Sequence, residues 1–91
     1  MATTLSFTQN SSNRWEASCT SSGDRMAVEI TRTKSGPLIV YGNITGLGKK
    51  MIHDFGPSAE DTVIFEIDVP ADIDITIESF TEVTSAKIVG V

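Results

Sequence analysis

The stretch Ala71–Phe80, ADIDITIESF, decides the fold. Ile73, Ile75 and Ile77 alternate with Asp74, Thr76 and Glu78, and Asp72 leads the run. Successive side chains of a strand point to opposite faces, so a period of two makes one face apolar and the other polar. The carboxylates raise a second question: an ion or catalytic site, or the watered side of a strand. Side chains at i and i+2 on a strand stand about 6.5–7 Å apart. Calcium needs six to eight oxygens at roughly 2.3–2.6 Å, normally from a curling loop, and a straight strand does not wrap an ion. Asp72, Asp74 and Glu78 are therefore expected on a solvated strand face, where charge also discourages edge-to-edge aggregation.

The same period runs through the chain. Leu5 and Phe7 alternate with Ser6 and Thr8. Trp15, Ala17 and Cys19 oppose Glu16, Ser18 and Thr20, and Met26, Val28 and Ile30 oppose Arg25, Glu29 and Thr31. Val63, Phe65, Ile67 and Val69 oppose Ile64, Glu66 and Asp68. PLIVYGNI, residues 37–44, is more continuously apolar, as a central strand is. SSGD (21–24), KSGP (34–37) and TGLG (45–48) read as hairpin turns. PAD (70–72) reads as a tight connection, and FGPSAED (55–61) as the longest loop, with room for one helical turn. No segment carries a 3.6-residue apolar stripe. This pattern predicts an all-β fold: an antiparallel β-sandwich of seven to eight strands, immunoglobulin-like or jelly-roll-like, in a single domain over residues 1–91.

Ninety-one residues hold one core. Cys19 is the only cysteine, so no internal disulfide supports that core, and Cys19 with His53 is too small a set for a zinc site. Stability is expected from a filled core and from partner burial. The start MATTLSFTQN lacks a basic, then apolar, leader, and no apolar run approaches the roughly 20 residues that span a bilayer. No membrane role is expected, and the two glycosylation-like triplets starting at Asn10 and Asn43 are read as chance matches. The formal net charge of −5 with one adjacent basic pair, Lys49-Lys50, speaks against nucleic acid. Charge is unevenly placed: residues 1–50 hold six basic and three acidic side chains, residues 51–91 one basic and nine acidic. The halves either neutralise each other within one molecule or meet head to tail between copies.

No catalytic, cofactor or metal residue is assigned. His53 lacks a local nucleophile signature and reads as a strand-end residue. Cys19 shares a face with Trp15 and Ala17 and reads as core. Asp54, Glu60 and Asp61 border the one loop able to curl, so a weak calcium or sugar site would fall within 53–61. Trp15 is expected to look inward. Tyr41 is expected at a strand end with its hydroxyl wet, and either aromatic, if exposed near Asp54 or Asn43, would offer a sugar platform. A chain this short has little volume for the paired-carboxylate cleft of a glycosidase, and TGLGKK lacks the phosphate-loop pattern.

From RWEASCTSSGDRMAVEITR through GPLIVYGNITG the layout is similar to small immunoglobulin-like or jelly-roll-like sandwiches. In length and threonine content it resembles the small accessory proteins of tailed-phage virions, which decorate capsids or join neck and tail. That resemblance implies a non-enzymatic structural protein without cofactors, working through protein–protein packing with itself or a larger assembly. It implies a homo-oligomer or assembly-bound state, located in the virion or, during assembly, the host cytoplasm. A carbohydrate- or ligand-binding β-sandwich module is the alternative.

Overall fold

The described residues form nine strands, in chain order: β1 (Thr3–Thr4), β2 (Thr8–Gln9), β3 (Trp15–Thr20), β4 (Arg25–Arg32), β5 (Leu38–Ile44), β6 (Gly48–Asp54), β7 (Thr62–Asp68), β8 (Asp74–Ser79) and β9 (Val83–Val89). The structure, a computed structural model, describes residues 2–23, 25–44 and 46–90. Asp24 and Thr45, which belong to two of the expected turns and one triplet, lie outside the described residues, as does Val91.

The strands make two antiparallel sheets, ordered β1-β9-β4-β7 and β2-β3-β8-β5-β6. The all-β sandwich expected from the alternation is the fold. The ADIDITIESF stretch supplies β8, the middle strand of the larger sheet, paired with β3 on one side and β5 on the other. Ile75 and Ile77 lie wholly inside, against Met26, Val28 and Ile30 of the facing sheet, with Leu38, Val40 and Ile88 completing the core. Burial of each such side chain contributes roughly 1.5–3 kcal/mol.

Nine strands appear instead of seven or eight because TLSFTQ divides. Leu5 and Phe7 turn inward as their alternation predicts, but the chain between Thr4 and Thr8 crosses from one sheet to the other. Of the three expected hairpins, only TGLG joins neighbouring strands, β5 and β6. SSGD carries the chain from β3 to β4, and KSGP from β4 to β5, so both link different sheets. Turn residues report a reversal but not which sheet the chain enters next. A further hairpin, β2–β3, is closed by Asn10, whose Oδ1 accepts hydrogen bonds from the Ser12 and Arg14 amides. Residues 55–61 form the long loop, without a helical turn.

Two polar side chains tie the ends together from inside. Ser21 is buried; its hydroxyl donates to the Pro70 carbonyl and accepts from the Ile73 amide. Arg32 is buried at the end of β4 and donates to the carbonyls of Gly36, Pro37, Ala59 and Glu60 and to the Ser79 hydroxyl. It anchors the β4–β5 crossing and the 55–61 loop at one point. Burial pulls its guanidinium pKa down, opposed by Asp61.

Candidate functional site

Two surfaces stand out beyond the core: the outer face of the five-stranded sheet, and the lateral edge where β6 and β7 end their sheets.

Register sets the outer face. Ser18, Thr76 and Tyr41 form one row across β3, β8 and β5, and Thr20, Asp74 and Asn43 the next. Lys49 of β6 extends the second row. The Thr20 hydroxyl donates to Asp74 Oδ1 at 2.9 Å, and the Ser18 and Thr76 hydroxyls are 3.2 Å apart. Lys49 Nζ sits 4.5 Å from the centre of the Tyr41 ring. Together these groups line an open concavity of about 520 Å³. Tyr41 is not at a strand end, as expected, but in the middle of β5 and half-buried. Partial burial, then Glu78, raises its hydroxyl pKa against the opposing pull of Arg14, so the phenol stays protonated. The arrangement offers one aromatic ring among hydroxyl, amide, ammonium and carboxylate groups.

The opening carboxylates divide into three fates. Asp74 is exposed on the strand face, as expected. Asp72 is outside the strand, in the turn before it, with φ of 64°. Glu78 departs from expectation: it is 8% exposed and held by Arg14 at 3.3 Å, while the Arg14 guanidinium lies 3.9 Å from the centre of the Phe80 ring. The cation that permits this burial is 64 residues away in the chain, out of reach of a local pattern.

In the long loop, Asp54 Oδ1 accepts from the Gly56 amide and Asp61 Oδ1 from the Thr62 amide, both at 2.8 Å. These carboxylates shape the loop's own backbone, and Glu60 is exposed with its carbonyl bound by Arg32. Among the described residues no three acidic, histidine or cysteine side chains gather as metal ligands do. His53 is exposed near the end of β6, its ring edge-on to Phe55 at 4.3 Å between centres. Cys19 is half-buried against the core, and burial together with Asp74 raises its thiol pKa, so it is protonated at neutral pH. Three strand spacings, about 14 Å, separate the strands of Cys19 and His53, too far for a nucleophile–base pair. Trp15 has the register of an inward residue but lies at the start of β3, half-buried and outside the core cluster.

At one lateral edge the 3–9 segment crosses between sheets and seals the core with Leu5 and Phe7. At the other, β6 and β7 are joined at one end by the 55–61 loop, where the Phe55 and Phe65 rings meet at 4.8 Å. Every residue of β6 is exposed, and the inward residues of β7, Val63, Phe65 and Ile67, are only half-buried. Met51 is 55% and Ile64 72% exposed, with Ile44, Leu47 and Ile52 also bared. Sequence reading missed this edge because KKMIHDF has no clear period and nothing local marks a strand as terminal.

No protein-family model and no curated protein matches the chain. Solved structures similar to it include three single-site variants of CBM29-2, a family 29 carbohydrate-binding module. They overlay with TM-scores of 0.46, 0.47 and 0.44 at 12%, 11% and 11% identity, over 98% of this chain and 74%, 75% and 75% of theirs. Overlap and identity this low carry no inference about ligand or role.

Proposed function

We propose that this protein is a non-enzymatic assembly module that docks on a protein surface through its β6/β7 edge. The observation that carries this reading is the concentration of bared apolar side chains on that edge, beside two strands with no outer neighbour. An unpaired strand is a template for another chain, and folded proteins usually shorten, cover or charge such edges. Here β6 and β7 are both seven residues long and uncovered, and the charges they carry are of opposite sign, Lys49 and Lys50 on one and Glu66 and Asp68 on the other. The assembly is a virion, in a capsid-decoration, neck or tail position, following the resemblance to small tailed-phage proteins. Light scattering across concentration and salt tests the reading. A mass above the monomer is expected, and Met51→Glu should return the protein to monomer with its β spectrum intact. A protein monomeric at every concentration, associating with no virion component, would contradict it.

A second reading, a carbohydrate-binding module, is favoured by one observation: Tyr41 in the open concavity among Asp74, Asn43 and Lys49. Ring stacking with surrounding hydrogen-bonding groups suits a sugar. Titration with neutral oligosaccharides, followed by NMR shifts of β5 and β8 amides, tests it. Binding abolished by Tyr41→Ala supports this reading, and unchanged spectra reject it.

A further inference from the structure

Resting on the assembly reading, we infer that the occupant of the edge is a second copy of this chain, with β6 of each copy adding to β7 of the other about a two-fold axis parallel to the strands. The two edge strands run in opposite directions, because the 55–61 loop joins the end of β6 to the start of β7 and the connections are short. Rotation about an axis along the strands exchanges the two layers. It therefore sets β6 of one copy antiparallel beside β7 of the next, twice, continuing both sheets across the interface. An isologous contact of this kind closes on itself as a dimer.

Charge selects this pairing. β6 carries Lys49 and Lys50, neither in an ion pair among the described residues, and one acid, Asp54, at its loop end, where it accepts from the Gly56 amide. β7 carries Glu66 and Asp68, which share the single cation Arg25 and keep an excess of negative charge. β6 against β6 would gather four lysines on one ladder, and β7 against β7 four acids.

The side chains also fit. Lys49 and Met51 are on the outer face of their sheet, in the rows of Asn43 and Tyr41. Ile64 and Glu66 are on the outer face of theirs, in the rows of Glu29 and Ala27. A single register places Lys49 opposite Glu66 of the second copy, Asp68 one step diagonal, and Met51 opposite Ile64. Residues directly opposite bring their Cβ atoms to about 4.5–5.5 Å, within ion-pair and apolar contact. In the same register Ile52, whose side chain lies over Gly42, meets the inward-facing Val63. The most exposed strand apolars thus cover each other, while Lys50, in the inward row of Gly42, falls opposite Phe65, its methylene stem over the ring and its ammonium toward the rim.

The test uses the full chain with Cys19→Ser. Lys49→Cys and Glu66→Cys single variants are mixed under mild oxidation, and the disulfide products are separated. The 49–66 product is expected to dominate at low salt and to fall to the random share at high salt. Lys49→Glu/Lys50→Glu should weaken self-association about tenfold, and adding Glu66→Lys/Asp68→Lys to the same chain should restore it. Because the latter change sits beside Arg25, circular dichroism checks the fold, and the cross-link decides if that variant unfolds. Predominance of 49–49 and 66–66 products would overturn this pairing while leaving edge-mediated assembly standing. Random cross-linking of a protein that stays monomeric, with Met51→Glu without effect, would remove both.

Discussion

Arg32 shows what one residue does in a core this small. Five of its hydrogen bonds end on groups from three separate segments, four of them backbone carbonyls at the sandwich's end. The Pro37 and Ala59 carbonyls also accept from the Phe80 and Gly36 amides, but removing Arg32 leaves the Gly36 and Glu60 carbonyls and the Ser79 hydroxyl without it, and each buried unpaired group costs about 1–3 kcal/mol. Arg32→Met is therefore expected to destabilise by about 3 kcal/mol, lowering Tm by roughly 15 °C in a domain of this size. Lysine will not rescue it, since one ammonium cannot span carbonyls arranged for a planar fork. Calorimetry of both variants checks this, and a Tm within a few degrees of wild type would refute it. Arg32 falls on the inward face of β4, two residues after Ile30 in the row of Met26, Val28 and Ile30. The register was legible; the carbonyl cluster that makes an inward arginine tolerable was not.

At the scale of the element, β6 is held from one side only: its single neighbour is β5, and each of its residues is exposed. A Cβ placed on Gly42 would sit 2.6 Å from Ile52 Cδ1, so glycine lets β6 lie close over β5. Gly42→Ala should push the Ile52 side chain outward and loosen β6 while leaving β3 and β8 unchanged. Hydrogen exchange should speed in residues 48–54 and not in 74–79, and Ile52→Ala in the same chain should reverse the effect. Uniform acceleration across both sheets would show instead that β6 is integral to the core. The glycine was visible in IVYGN, but its partner across the ladder depends on a bulge between Val40 and Tyr41 that no local pattern announces.

Across the molecule, the three ion pairs among the described residues each join the basic first half to the acidic second half: Arg14 to Glu78, and Arg25 to Glu66 and Asp68. The uneven charge is thus partly neutralised within one copy, with Lys49 and Lys50 left over at the edge. The Arg25 pairs are open to solvent and contribute little once screened. High salt should accordingly leave Tm nearly unchanged at concentrations where the protein is monomeric, yet dissociate the edge contact. Light scattering and thermal melts on the same samples separate the two effects; a steep fall of monomer Tm with salt would show that intramolecular pairs hold the fold.

Alternation alone determined that this chain is a two-layer β protein, because the strand period ties side-chain direction to sequence position wherever the polarity pattern is regular. Ile75, Ile77, Val28 and Ile30 were all placed correctly on that ground. Which turns cross between sheets, why Glu78 is buried, and where the sandwich stays open were decided only by tertiary structure. Each depends on groups that meet from distant parts of the chain, and a period of two says which way a side chain faces but not what waits there.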